Sequence, residues 1–94
     1  MTIRYTDNFL RQLKKSDTRI RKSFKMRILI FAKNPYDSQL NNHPLEREYQ
    51  GQRSIDITAD YRAIFKEVII EGDTYIYLTS FGTHKELFTS TNEN

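Results

Sequence analysis

The stretch RSIDITADYRAIFKEVIIEGDTYIYLTSFGTHKELF, residues 53–88, decides the fold. From Arg53 the apolar residues recur at every second position. Ile55, Ile57 and Ala59 fall on one side of an extended chain, and Ser54, Asp56, Thr58 and Asp60 on the other. In YRAIFKEVII (61–70), Tyr61, Ala63 and Phe65 oppose Arg62, Ile64 and Lys66. EGDT (71–74) supplies a glycine for a hairpin turn, and YIYLTSF (75–81) is the last strand. Three β-rich runs with short joins predict an antiparallel meander.

Upstream the period changes. TIRYT (2–6) alternates as a short first strand would. In TDNFLRQLKKSD (6–17), Thr6 or Asp7 can accept from the free N–H groups of a helix start, and Phe9, Leu10 and Leu13 form an apolar stripe. Ser16 and Asp17 punctuate. TRIRKSFKMRILIFAKN (18–34) places Ile20, Phe24, Ile28 and Phe31 at helical spacing, and Pro35 ends that helix near Asn34. NPYDSQLNNHPLEREYQGQ (34–52), with both prolines, reads as a long ordered loop, a length that often marks function. The expected fold is α+β: an N-terminal helical hairpin packed on one face of a three- to four-stranded antiparallel sheet, in a single domain over residues 1–94.

Composition narrows the setting. The chain is 37% apolar with 13% aromatic residues, which is globular rather than disordered. It has no cysteine, so disulfides and thiolate metal sites are excluded. The longest apolar run, ILIFA (28–32), is too short for a membrane span or a signal segment, so no membrane association and a cytoplasmic location are expected. Net charge is only +3, but residues 1–33 hold ten Lys or Arg against two acids, while the remainder hold five against ten. A basic first third, with Lys14, Lys15 and Lys22 among its cations, suits an anionic partner such as RNA phosphate or an acidic protein; a solvated helix surface is the plainer reading.

One sheet face must cover the helices. The other carries Asp56, Asp60, Arg62 and Lys66, and His84 follows the last strand. These types suit metal-free RNA cleavage. A ribose 2′-OH must lose a proton, the departing 5′-oxygen must gain one, and the transition state carries extra negative charge. Histidine suits the proton steps, arginine grips phosphate with its fork, and an aromatic ring stacks a base. His84, His43, Asp60, Arg62, Lys66 and Phe88 supply each type. Each also has an ordinary reading. His84 could cap a strand end, Arg62 could pair across strands with Asp56 or Glu67, and Phe88 could be core. A two-histidine, one-carboxylate metal site has no support in spacing, since the histidines stand 41 residues apart. No metal or cofactor is expected.

HPL (43–45), G-x-R (51–53), D-Y-R-x-I-F-K (60–66) and G-T-H-x-x-L-F (82–88), in this order after a helical hairpin, resemble the RelE/ParE toxin superfamily, and most of all its YafQ-type branch. The resemblance implies a RelE-like, microbial ribonuclease-type fold and the toxin of a type II toxin–antitoxin pair. Such toxins cleave mRNA, usually in the ribosomal A site, and leave a 2′,3′-cyclic phosphate without a metal. Carried over, His84 matches the C-terminal catalytic histidine, Asp60 the sheet carboxylate, His43 the loop histidine and Phe88 the terminal aromatic. Arg62 stands where related branches place a phosphate-binding arginine. The implied partners are a cognate antitoxin, in a hetero-oligomer, and ribosome-bound mRNA.

Two positions depart from that branch. Asp56 stands where it often has another histidine, and Ser80 where it often has an arginine; both remove possible positive charge. Asp56 could serve as a base or hold His84 or His43 in one tautomer, and Arg62 or Arg53 could replace the missing cation. Two rival functions follow: a gyrase-poisoning toxin of the ParE arm, which needs no His84–Asp60 pair, and a non-catalytic member that only binds its antitoxin.

Overall fold

The structure, a computed structural model, describes residues 1–88. Residues 89–94, included in the expected domain, lie outside the described residues. Strand β1 (Thr2–Tyr5) leads into helix α1 (Asp7–Lys15) and helix α2 (Thr18–Lys33). After two 3-10 turns flanking β2 (His43–Pro44) come β3 (Arg53–Asp56), β4 (Tyr61–Ile70), β5 (Asp73–Thr83) and helix α3 (His84–Phe88).

The expected hairpin and meander are present, but the sheet has five strands and is mixed. Its order is β1-β5-β4-β3-β2, with β1 parallel to β5 and the other pairs antiparallel. The segment expected as loop contributes β2, whose two residues pair with Ser54 and Arg53.

Local chemistry explains the boundaries. Thr6 caps α1: its hydroxyl accepts from the Phe9 N–H at 3.2 Å and donates to the Leu78 carbonyl at 2.9 Å. Asp17 caps α2 by accepting from the Ile20 N–H at 3.0 Å. Asn34 closes α2 with an extended backbone, φ −152°, as the following proline requires. The β4–β5 loop is the two residues Glu71 and Gly72, both at positive φ, the backbone of a primed hairpin turn that favours glycine.

Along β4–β5 the register slips at Ile64/Phe65. Ser80 opposes Ile64 and Leu78 opposes Phe65, so Thr79 is the extra residue of a bulge. β1 stops at Tyr5 opposite Leu78, which leaves the edge of β5 uncovered beyond that point. Two α1 side chains one turn apart complete it. Asn8 Nδ2 donates to the Thr79 carbonyl at 2.8 Å, and Gln12 Oε1 accepts from the Phe81 N–H at 2.8 Å.

The main core lies between α1–α2 and the sheet: Phe9, Phe24, Phe31, Leu40, Ile55, Ile57, Ala63, Phe65, Ile76, Leu78 and Phe81. Rings of Phe9, Phe24 and Phe81 meet edge-on or tilted at centroid distances of 5.3–5.8 Å. Leu10, assigned to the α1 stripe, is instead 46% exposed, one position round the helix from buried Phe9. A second cluster, Leu45, Ile64, Leu87 and Phe88 with Tyr49 against it, covers the opposite sheet face. Among the described residues no helix is long and apolar enough to cross a membrane.

Candidate active site

The last rung of β4–β5 is Tyr61 opposite Thr83. One step further the His84 N–H donates to the Asp60 carbonyl at 2.8 Å, so the two residues form one corner of the sheet. His84 is not in irregular chain, as expected, but is the first residue of α3. The cause is a capping box: the Thr83 hydroxyl accepts from the Glu86 N–H at 3.1 Å while Glu86 Oε1 accepts from the Thr83 N–H at 2.8 Å. The T-H-K-E spelling was visible in the sequence and is the signal that the strand reading missed. Gly82 allows the tight fold-back, because a Cβ there would lie 3.1 Å from Glu86 Oε1 and 3.6 Å from Leu87 Cγ.

The His84 ring is half-exposed and tilts against Phe88 at 4.9 Å between centroids. Phe88, proposed as a base-stacking face, takes the core alternative at 4% exposure. It packs edge-on against Tyr49, whose hydroxyl donates to the Leu87 carbonyl at 2.9 Å. Its burial fixes the imidazole rather than offering a face to a base. Asp60 is exposed, and among the described residues its carboxylate takes no hydrogen bond or ion pair.

Arg62 is occupied. Its Nε lies 3.0 Å from Asp56 Oδ1, directly across the β3–β4 ladder, and its Nη1 donates to the carbonyls of Thr58, Ala59 and Tyr61 at 3.1–3.2 Å. The guanidinium clasps the β3–β4 turn, the ordinary pairing foreseen for it, with only Nη2 outside these bonds. The Asp56 contact is ionic, since its Oδ1 is shielded from water without an aligned hydrogen-bond donor. Asp56 Oδ2 accepts from Asn41 Nδ2 at 3.4 Å. It therefore serves Arg62 and Asn41 rather than orienting a histidine.

His43 also sits in a strand, β2, opposite Ser54. Its Nδ1 lies 2.8 Å from the Asn41 carbonyl; a carbonyl only accepts, so Nδ1 carries a proton. Pairing runs His43–Ser54–Ile64–Ser80 across four strands, which puts His43 about 14 Å from β5 at about 4.8 Å per strand. The two histidines do not form one proton relay across that gap. Among the described residues no group of three or more His, Asp or Glu side chains converges as a metal site.

Of the remaining cations, Lys66 is exposed opposite Tyr77. Arg53 donates from Nε to Asn42 Oδ1 at 2.7 Å and lies over the Tyr36 ring. Lys14, Lys15 and Lys22 are exposed on the helices. Lys15 reaches the helix side of the same end of the sheet, where a cleft of about 180 Å³ is lined by Gln12, Lys15, Ser16, Tyr61, Phe81, Gly82 and Glu86. Lys22 does not line it.

A family model for the YafQ bacterial toxin of type II toxin–antitoxin systems matches residues 1–89. The chain belongs to the YafQ toxin family. The fold agrees with solved YafQ-type structures. Escherichia coli YafQ superposes with a TM-score of 0.75 at 23% identity, covering 92% of this chain and 96% of that one. The Agrobacterium tumefaciens YoeB/ParE toxin gives 0.71 at 17% identity, covering 89% and 99%. YafQ from the E. coli DinJ–YafQ complex gives 0.60 at 25% identity, covering 92% and 96%. No curated protein sequence matches the chain. As a YafQ-family member it is the toxin of a type II toxin–antitoxin system.

Proposed function

We propose that this YafQ-family toxin is a metal-independent endoribonuclease that cuts ribosome-bound mRNA, and that a cognate antitoxin neutralises it in a hetero-oligomer in the cytoplasm. The observation that carries this reading is the 2.8 Å bond from the His84 N–H to the Asp60 carbonyl, which holds an imidazole and an uncommitted carboxylate at one open corner. In the proposed reaction Asp60 takes the proton of the ribose 2′-OH and the 2′-oxygen bonds to phosphorus. The P–O5′ bond breaks, His84 returns a proton to the departing oxygen, and a cyclic phosphate remains. Exposed Lys85, next to His84 in sequence, and Arg62 Nη2, on the strand that follows Asp60, are candidates to meet the phosphate charge. His43 would contact RNA well away from the reacting phosphate. The E. coli YafQ solved with DinJ supports the antitoxin partner.

The deciding experiment is controlled expression of wild type and His84→Ala followed by mapping of mRNA 5′ ends. Wild type is expected to arrest growth and cut at fixed codon positions, and the variant to do neither. Equal arrest by both with intact mRNA overturns the nuclease reading and favours a gyrase-directed toxin. A second reading, a non-catalytic antitoxin binder, draws on uncharged Ser80 and on the Arg62–Asp56 pair, which consumes the nearest arginine. Intact mRNA and normal growth with wild type would favour it.

A further inference from the structure

Away from the His84–Asp60 corner, Tyr36 follows the end of α2 with 61% of its surface exposed. A tyrosine this exposed contributes little to a core, yet its backbone and its ring are both held. Its N–H donates to Asn34 Oδ1 at 3.0 Å. Asn42 Nδ2 donates to the Pro35 carbonyl at 2.8 Å, and Asn42 Oδ1 accepts from Arg53 Nε at 2.7 Å. That last bond sets the guanidinium over the Tyr36 ring, 5.4 Å from its centroid. Among the described residues no acceptor takes the terminal Arg53 N–H groups. Exposed Lys33 adds positive charge nearby, while the neighbouring Asp37 carboxylate is engaged with the Gln39 N–H at 2.9 Å.

We infer that Tyr36 and Arg53 form a second RNA-binding subsite, which stacks one unpaired base on the tyrosine and offers the guanidinium to its phosphate or base edge. The inference rests on the nuclease reading only in taking RNA as the ligand. Unpaired bases are recognised by stacking on aromatic rings and guanidinium planes, and arginine adds a fork for phosphate. Arg53 opposes Phe65, two strands from β5 and about five residues along the sheet from His84, or about 19 Å by strand spacings. The base is therefore a distant nucleotide of the substrate strand or an unpaired base of ribosomal RNA.

The test uses a fluorescent single-stranded 2′-O-methyl RNA, which lacks the attacking hydroxyl and cannot be cut, and in a second arm purified ribosomes in a pelleting assay. Tyr36→Ala and Tyr36→Leu should weaken binding about 5- to 100-fold, the loss of one stacked base, and Tyr36→Phe should bind as wild type. Arg53→Lys should also weaken it, since an ammonium has no planar fork. The slope of log affinity against log salt should hold for the Tyr36 variants, because no phosphate contact is removed. A loss in the oligonucleotide arm assigns the base to substrate, and a loss only in pelleting assigns it to ribosomal RNA. If the Ala variant melts early, the Leu variant carries the comparison. Wild-type-like binding by the Leu variant in both arms, or no binding by wild type in either, overturns the subsite. Neither arm needs cleavage, so failure of the nuclease reading would appear separately as wild-type cells with intact mRNA.

Discussion

His84 is tied to Asp60 through backbone atoms alone, N–H to carbonyl at 2.8 Å. The corner therefore does not depend on the carboxylate, and the chemistry of Asp60 can be removed without its geometry. Asp60→Asn is expected to keep the melting temperature, with a stability change within about 0.5 kcal/mol, while abolishing mRNA cleavage. A cleaving Asp60→Asn protein would remove the carboxylate from the mechanism.

Arg62 and Asp56 are mostly shielded, at 17% and 29% side-chain exposure, and Arg62 also serves three turn carbonyls. Arg62→Ala should destabilise the protein by about 1–3 kcal/mol in urea unfolding, because buried polar partners lose their donor. Asp56→Asn should cost less, since the turn carbonyls keep theirs. A double-mutant cycle should return a non-zero coupling, and strict additivity would show the pair to be energetically idle.

Gln12 is the only described acceptor for the Phe81 N–H, on a residue 2% exposed. Gln12→Leu keeps much of the bulk and removes the acceptor. It should cost about 1–3 kcal/mol and speed amide exchange at Phe81 and in the adjoining part of β5. Unchanged exchange at Phe81 would contradict the assigned bond.

The fold-back into α3 rests on Thr83, Glu86 and the bare Cα of Gly82. Thr83→Val should cost about 1 kcal/mol and fray α3. Gly82→Ala should push Glu86 away and do the same. Both should lower cleavage by loosening His84, visible as faster exchange of the α3 amides with the sheet core unaffected.

The meander was legible because Ile55, Ile57, Ala63 and Phe65 recur at every second position of their runs, and the same alternation placed them on the helix-covered face. α2 was legible from Phe24 and Phe31, which are buried where their spacing put them. The parallel pairing of β1 with β5 was not, since nothing in TIRYT names a partner more than 70 residues away. β2 is two residues long and too short to show a period. Nor could the sequence tell that Arg62 is consumed by its neighbours, because that depends on the register that sets it opposite Asp56. Asp60 and His84 were named as site residues from their chemical types and from the resemblance to the family motif. The bond that joins them follows only once β4 and β5 are aligned.

The parallel ladder from Thr2–Tyr75 to Tyr5–Leu78 joins β1 to a strand more than 70 residues downstream. α1 is anchored to that same strand through Asn8 and Gln12. A nascent chain that has not yet extruded β5 lacks the edge on which β1 pairs and the anchors that hold α1 to the sheet, and it also lacks the His84 corner. Docking of β1 and α1 thus waits on contacts of long sequence separation, the kind of pairing that slows folding.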